Sequence, residues 1–254
     1  MRKASAVCLA VAALLSACGG GGGGSSPGAS SQTAVPSVSP QGFWQGSTNN
    51  GRTIQALVLE NGQYYTVYSS NNVIYGMVEG SFTVNGNTIS DSSARDFQNG
   101  LNPVSGSLTG TVSAGQSISG TIVEAGNSIS FNGTYSTAYD APATLSQAVG
   151  TWTGSSIVNP GGAVGSTTIT VDSTGQFTGF SSTCNFTGSL KPRSSGKGVF
   201  DGTVTFAATG CVLPGASVPF EAVTAKNSNG TTGLLAAGVT SGRDHDFLFS
   251  ALKS

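Results

Sequence analysis

The chain has 254 residues, a net charge of -1 and only 8% charged residues. Because Lys and Arg are sparse, the chain lacks the clustered positive charge of nucleic-acid-binding proteins, and we expect no nucleic-acid partner. Sparse Lys and Glu also argue against long surface helices. Abundant Thr, Val, Phe and Tyr, punctuated by Gly and Asn, predict many short β-strands and an all-β fold.

The first residues have the pattern of a secretory signal. A basic start, Met1-Arg2-Lys3, precedes an apolar run over residues 4–15 and small residues before a cleavage position. The run is too short to span a bilayer comfortably as a permanent helix. Residues 1–17 are therefore predicted to be a signal peptide, and losing Arg2 and Lys3 with it lowers the net charge to about -3.

The signal ends in Leu15-Ser16-Ala17-Cys18, which resembles the lipobox of bacterial lipoproteins. The resemblance implies diacylglycerol on the Cys18 thiol, cleavage before Cys18, and a fatty acyl group such as palmitate on the new amino terminus. Several acyl chains anchor a protein stably, so the membrane is an expected partner. The alternative is an ordinary signal peptide with a chance cysteine.

Residues 18–40 are predicted to be a disordered, lipidated tether, because an unbroken glycine run over residues 19–24 and the Ser and Pro that follow cannot bury a core. In Gram-negative bacteria an Asp after the lipidated Cys often retains a lipoprotein in the inner membrane. Here the position is Gly19, which by resemblance implies the outer membrane. Whether the folded part faces the medium or the periplasm stays open.

The folded part contains an internal repeat. Three motifs recur in the same order, namely residues 42–46 with 150–154, 59–70 with 171–182, and 79–82 with 187–190. Trp44 and Trp152 open the two halves. The repeat predicts two related domains, 41–140 and 141–254.

Within each half, short alternating runs are separated by turn residues. Residues 53–59 and 64–68 are β runs joined through Asn61-Gly62, a strong hairpin signal. About eight such strands per half, connected tightly, predict an antiparallel up-and-down meander that removes its edges by closing into a β-barrel. The alternative is a β-sandwich. At about 100 residues per half we expect packed barrel interiors, with binding on the outside.

The Gly-x-Trp-x-Gly opening at residues 42–46, followed by a meander, resembles the calycins, especially the avidin-like barrels. No biotin site is carried over, because none of that family's ligand-binding residues can be placed beyond the opening Gly and Trp. The closing residues 233–240 and 247–253, with the Gly-rich tether, resemble the C-terminal barrels of surface lipoproteins of the factor H-binding protein and transferrin-binding protein B type.

Two of the four cysteines remain for the folded part, since Cys8 leaves with the signal and Cys18 carries the lipid. In an oxidising envelope compartment, Cys184 and Cys211 are predicted to form one disulfide. Closing their loop of roughly 27 residues would contribute about 3–4 kcal/mol in the chain-entropy model. A metal or redox pair is the alternative, although the two cysteines lack C-x-x-C spacing.

Motifs that carry catalysis are missing from the sequence. The one histidine, His245, lies in Arg243-Asp244-His245-Asp246; this segment is either a catalytic or metal-binding cluster or a polar turn. If it is a strand, Asp244 and Asp246 share a face and His245 points away from them. No nucleophile elbow between a strand and a helix, zinc spacing or phosphate-binding loop can be read from the sequence. Paired carboxylates of the kind that act in glycoside hydrolysis are left open by the sequence. We predict no catalytic residue, metal or cofactor, and no enzyme.

Tyrosines on one strand form a candidate binding surface. Tyr64 and Tyr68 share one face of the strand with Thr66, and Tyr75 joins that set, whereas Tyr65 lies on the other face. Exposed tyrosines suit binding because they bring amphipathic area at low entropic cost. The alternative is that both rows are buried, one in the barrel and one under the sister domain.

Charge differs between the halves and is concentrated in one basic loop, Lys191, Arg193 and Lys197, around Pro192. The first half is acidic and the second slightly basic. This asymmetry would either hold the domains together or orient them on an anionic partner; a solvated loop is the alternative.

These patterns together predict an outer-membrane lipoprotein that acts as a non-enzymatic binding module for a protein or glycan ligand. The alternative function is a periplasm-facing inhibitor or accessory protein of an envelope enzyme or secretion system, an interpretation that rests on architecture alone.

Overall fold

The computed structural model describes residues 37–71, 73–227 and 229–254. The predicted signal peptide, Cys18 and most of the predicted tether lie outside the described residues. Within the described ranges, helical structure is limited to a 3₁₀ turn, Thr137–Tyr139, and a single α-helical turn, α1, Leu145–Ala148. No helix in this part of the chain combines the length and apolar character needed to cross a membrane.

Nine strands build the first barrel. They are β1 Gly42–Thr48, β2 Thr53–Val58, β3 Gln63–Ser70, β4 Val73–Ser81, β5 Thr83–Asn85, β6 Thr88–Gln98, β7 Val104–Ser113, β8 Ser117–Glu124 and β9 Asn127–Ser136. Each strand pairs with its sequence neighbour except that β5 pairs only with β6. Pairing of β1 with β9 and of β4 with β6 closes eight of the strands into a ring.

Eight further strands form the second barrel. They are β10 Gly150–Ile157, β11 Gly165–Val171, β12 Gln176–Ser181, β13 Cys184–Pro192, β14 Val199–Phe206, β15 Ser217–Lys226, β16 Thr232–Val239 and β17 Asp246–Lys253. Antiparallel pairing of β10 with both β11 and β17 closes the sheet. The prediction of two tandem antiparallel barrels of about eight strands is confirmed, and closure excludes the β-sandwich alternative.

The sequence repeat corresponds to repeated hydrogen bonds. The indole Nε1 of Trp44 donates to the Pro40 carbonyl at 3.1 Å, and that of Trp152 donates to the Ala148 carbonyl at 2.6 Å, four residues back in both halves. After the second hairpin strand, Phe82 N–H donates to Gly62 O in the first barrel. Leu190 N–H donates to Gly175 O at the matching place in the second.

Phenylalanines fill the second barrel. Their rings meet edge to face, with centroids about 6 Å apart, in one connected group: Phe177, Phe186, Phe206, Phe220 and Phe247. The cavity that remains beside Phe177, Phe220 and Phe247 measures only about 20 Å³. The prediction of a packed interior therefore holds for this barrel.

An apolar layer lies between the barrels. It includes Tyr65, Val67 and Phe97 of the first barrel and Val223 and Leu235 of the second, all buried. Because these residues belong to the outward faces of their strands, each barrel supplies part of the other's core. Burial of this apolar area is the main stabilising contribution at the junction.

Ion pairs flank this layer. Arg243 Nε lies 2.7 Å from Glu79 Oε2, and its Nη2 also donates to the Ser93 carbonyl at 2.8 Å. On another side, Arg193 Nε lies 3.0 Å from Glu60 Oε2. Both arginines come from the second barrel and both carboxylates from the first, so charge complementarity adds to the apolar contact.

Cys184 and Cys211 form the predicted disulfide, with sulfurs 2.04 Å apart. The bond ties the start of β13 to the loop that follows β14.

Candidate functional site

The first barrel encloses a cavity of about 440 Å³. Its walls are mostly apolar and include Ile54, Val58, Val78, Leu108, Ile122 and Phe131. Polar side chains gather at one end, namely Thr48, Asn50, Arg52, Gln98, Asn127 and Ser128. These residues adjoin the turns at residues 49–52, 99–103 and 125–126, which form the mouth. The expectation of a packed interior is therefore wrong for the first barrel.

Glycines occupy several inward positions of this barrel. Gly46 alternates with Trp44 and Thr48 on β1 and so faces the lumen. Gly110 on β7 and Gly120 on β8 lie opposite each other in register and also face inward. The second barrel has inward glycines as well, but there phenylalanine rings lie against them, as Phe186 does at Gly179.

Aromatic side chains close the end opposite the mouth. The Tyr64 and Phe82 rings stack with centroids 4.3 Å apart, and Trp44 meets Tyr135 edge to face at 5.1 Å. The described chain also enters here, because Val38 N–H donates to Gly86 O and its side chain packs against this core. The cavity thus has an aromatic base and a polar mouth.

Two tyrosines cross the lumen wall in the same way. Tyr64 on β3 lies opposite Gly80 on β4, and its hydroxyl donates to Asp91 Oδ2 on β6 at 3.0 Å. Four residues along β3, Tyr68 lies opposite Gly76, and its hydroxyl donates to Asp96 Oδ1 at 2.7 Å. In both cases the glycine lets the phenol ring pass over β4.

Asp96 and Glu124 form a carboxyl pair near the mouth. Burial, together with the charge of Glu124, raises the pKa of Asp96, while burial raises the pKa of Glu124. Glu124 Oε2 is buried and has no hydrogen-bond partner among the described residues. Burial and the neighbouring Asp96 carboxylate also raise the pKa of the Tyr68 phenol, which therefore stays protonated and acts as a donor.

Arg52 stacks on aromatic rings at the mouth. Its guanidinium carbon lies 5.2 Å from the centroid of the Tyr68 ring and 3.9 Å from that of Tyr75. Nη1 of Arg52 is buried without a hydrogen-bond partner in the described chain. Cation–π contact of this kind holds the guanidinium over the opening.

Exposed apolar side chains surround the same opening. Val73, Tyr75, Leu101 and Val123 are each between 42% and 51% exposed. Val73 begins β4, Leu101 lies between β6 and β7, and Val123 is next to the end of β8. These four side chains form an exposed apolar rim around the mouth, and exposed apolar patches are typical of interaction sites.

The predicted tyrosine surface needs correction. Tyr64 is fully buried and Tyr68 almost so, because their face of β3 points into the barrel. Tyr65 and Val67, on the other face, are buried against the second barrel. This is the alternative in which both rows are buried. Tyr75 is exposed, and the Arg52 guanidinium lies over both its ring and that of Tyr68.

The predicted basic loop is likewise not one surface. Arg193 pairs with Glu60 and, at 2.6 Å, with Asp201. Lys197 Nζ lies 5.4 Å from the centroid of the Tyr139 ring, while Lys191 is exposed. The interpretation in which charge holds the domains together fits Arg193.

The segment around His245 is a turn leading into β17. Asp246 is fully buried and accepts hydrogen bonds from Asn159 N–H at 2.7 Å and from Asn159 Nδ2 at 3.2 Å. Asp244 is exposed, and its Oδ2 lies 3.4 Å from His245 Nδ1. Among the described residues, no group of three His, Cys, Asp or Glu side chains could hold a metal ion.

Sequence reasoning missed Arg52, Asp96 and Glu124 as lumen residues. One signal was present: acids are few in this chain, and Asp96 alternates with the apolar residue Ala94 on β6. The register needed to bring Asp96 and Glu124 together was not readable.

Known proteins resemble the chain only distantly. No protein-family model and no curated protein matches it. Among solved structures, isotype 1 transferrin binding protein B from serogroup B Neisseria meningitidis has 10% identity and a TM-score of 0.31, over 80% of this chain and 58% of that one. A double mutant of the Haemophilus parasuis Hp5 transferrin binding protein B has 10% identity and a TM-score of 0.31, over 80% and 65%.

A protein with unknown function of the DUF3598 family from Nostoc punctiforme has 11% identity and a TM-score of 0.29, over 85% of this chain and 96% of that one. By contrast, the chain spans little more than half the length of the Neisseria protein, since the match covers 58% of it.

Proposed function

We propose that the chain is a non-enzymatic binding module whose first barrel holds a small, largely apolar molecule in its lumen. This proposal rests on the contrast between the barrels: the first contains a cavity of about 440 Å³ and the second one of about 20 Å³. Small-molecule sites are typically concave, mostly apolar, and provided with a few polar groups that fix orientation. The lumen of the first barrel has this composition.

Binding rather than catalysis is favoured by the state of the lumen phenol. Tyr68 donates to Asp96, and the raised pKa of its hydroxyl makes it a poor base or nucleophile. The phenol is thus held as a hydrogen-bond donor to Asp96 and is not positioned to react with a ligand.

The binding test is titration with a fluorescent apolar dye, comparing the parent chain with Ala56→Phe. Ala56 lines the cavity and is buried, so a phenyl group there should occupy the lumen and abolish the fluorescence increase. Ala114→Phe is the matched control, since Ala114 is exposed in the turn between β7 and β8. Equal dye binding by parent and Ala56→Phe would refute a lumen site.

The cellular setting is a second part of the proposal. The lipobox-like residues Leu15 to Cys18 support an acylated protein of the outer membrane, attached through Cys18. Labelled palmitate should be incorporated by the parent and not by Cys18→Ser. Protease treatment of intact cells, with a periplasmic control, then distinguishes the two orientations: loss of the protein supports a surface module, and protection supports the inhibitor or accessory role in the periplasm.

A protein ligand is the second candidate, and the exposed apolar rim of Val73, Tyr75, Leu101 and Val123 favours it. A partner seated there would cover the mouth. Replacing Leu101 by Ser should then weaken capture of that partner and leave dye binding in the lumen unchanged.

A further inference from the structure

We infer that the ligand of the first barrel carries an ammonium group at one end of an apolar body, and that this group is bound between Asp96 and Glu124. The inference rests on the proposed lumen site and names the chemical class of its ligand. Four observations support it: how the carboxyl groups meet, which charges face them, the shape of the cavity, and the proton balance.

The two carboxyl groups lie on either side of β7 and interact over its inner face, with Asp96 opposite Val104 and Glu124 opposite Gly106. Asp96 lies on β6 and Glu124 on β8, with β7 between them. Gly106 on β7 is opposite both Ala94 and Glu124 in register, and its missing side chain leaves the inner face of β7 open there. Both carboxyl groups line the cavity near its mouth.

Charge near this pair is unbalanced. The groups that face it are Arg52 and Tyr68 within the barrel, and Asp246, which is farther away in the second barrel. The Arg52 guanidinium stacks on the Tyr68 and Tyr75 rings and forms no ion pair in the described chain. Two carboxyls thus face a single cation, the Arg52 guanidinium, and burying an unpaired carboxylate is costly.

The rest of the cavity suits an aliphatic or aromatic body. The volume corresponds to about 15 water molecules in the liquid. Below the carboxyl pair, the walls are formed by Ile54, Val58, Leu108 and Ile122, and the base is aromatic. A ligand with a carboxylate head would add negative charge beside Asp96 and Glu124, whereas an ammonium head would offset theirs, so the geometry favours the amine.

The proton balance follows from the pair. Burial and the charge of Glu124 raise the pKa of Asp96 to about 7, so this carboxyl is partly protonated near neutral pH. When an ammonium head binds, that proton passes to solvent and the ammonium replaces its charge. No covalent bond to carbon forms or breaks, and no other reactant is required.

The test is calorimetric titration of the full chain carrying Cys18→Ser, so that no acyl chain competes. The probes are decylamine, 1-decanol and decanoate, which share one apolar body. Decylamine should bind at least about tenfold more tightly than decanol and more tightly still than decanoate. In buffers of different ionisation enthalpy, its binding near pH 7 should release up to one proton.

Variants separate the carboxyl pair from the fold. Asp96→Asn and Glu124→Gln should each lower decylamine affinity about tenfold and leave decanol affinity unchanged. Glu124→Gln tests the pair even if Asp96→Asn fails to fold. Asp172→Asn, on an exposed turn of the second barrel, should alter neither affinity.

Decanol or decanoate binding as tightly as decylamine, or amine affinity unaffected by Glu124→Gln, would overturn the amine assignment while leaving a lumen site in place. If none of the three probes binds, and dye binding is the same in Ala56→Phe and the parent, the proposed function itself fails.

Discussion

The two barrels share strand order, hairpin hydrogen bonds and the tryptophan that closes one end, yet their interiors differ. The second barrel is filled by phenylalanine rings, some of which lie against its inward glycines, whereas the first keeps an open lumen and has tyrosine–carboxylate bonds across its wall. Backbone architecture therefore tolerates either filling. The side chains at inward strand positions decide whether the interior of a small barrel is filled or left open.

The hollow first barrel packs against the filled second barrel. The outer face of β3 in the first barrel, with Tyr65 and Val67, is buried against the second. A filled barrel can thus supply apolar packing that a hollow one lacks, since a cavity forfeits van der Waals contacts along its lining. Four predictions test this division, from the largest expected effect to the smallest.

Truncating the filled core should cost most. Phe247 packs against Phe186, Phe206 and Phe220, so Phe247→Ala should lower the free energy of unfolding by about 3–5 kcal/mol. Ile122→Ala, which enlarges an existing cavity, should cost about 2 kcal/mol. Urea denaturation gives both values. Equal losses would contradict the contrast between the interiors.

The disulfide belongs to the second barrel alone. Replacing Cys184 and Cys211 together by Ser releases a loop with a sequence separation of 27 and should lower stability by about 3–4 kcal/mol in the chain-entropy model. Unfolding curves with and without reductant provide the measurement. Dye binding in the first barrel should be unchanged under native conditions, and its loss would show that the second barrel controls the lumen.

Gly80→Ala should disturb the hollow barrel. A Cβ at this position would lie 2.6 Å from the Tyr64 hydroxyl and would also crowd Asp91, so the Tyr64–Asp91 bond must break. We expect a loss of about 1–3 kcal/mol in urea titration. Gly233→Ala on β16 is the control, because its nearest neighbour would be 3.6 Å away. A Gly80→Ala variant as stable as the parent would show that the barrel wall accommodates the added methyl group.

Asp246→Asn should change the pH dependence of stability. Burial raises the pKa of Asp246 to about 8, above its unfolded value of about 3.9. Because the folded state binds the proton more tightly, stability falls as pH rises from about 4 to about 8. The variant should be more stable than the parent by about 1–3 kcal/mol at pH 9 and similar at pH 5.

Thermal unfolding of Asp246→Asn and the parent, measured over a range of pH, gives the effect. Decylamine is the control ligand, because it should bind in the first barrel, away from Asp246. The amine should alter the pH dependence that comes from the cavity-lining Asp96 and leave the contribution of Asp246 unchanged. A pH profile of Asp246→Asn parallel to that of the parent would contradict the assignment.

Much of the fold could be predicted from local pattern. Alternation, Asn-Gly turns and the repeat around Trp44 and Trp152 indicated two closed meanders, and the cysteine count indicated the disulfide. These features depend on residues close in sequence or matched between halves. They do not depend on which strand face meets which neighbour.

The cavity could not be predicted in the same way. Glu124 comes close to Asp96 only through the pairing of β6, β7 and β8, which sets Asp96 opposite Val104 and Glu124 opposite Gly106, and that requires the register of three strands. Tyr64 and Tyr68 suggested an exposed face because a single strand does not reveal that its other side lies under a second barrel. Small residues at inward positions look like turn or spacing glycines until closure is known.

The direction in which the chain enters the first barrel has a consequence for ligand traffic. Val38 is fixed by Gly86 at the aromatic base, and the mouth opens at the opposite end. The segment that precedes Ser37 is therefore joined to the first barrel at the end away from its mouth. A ligand of the proposed lumen site would enter and leave at the end opposite this attachment.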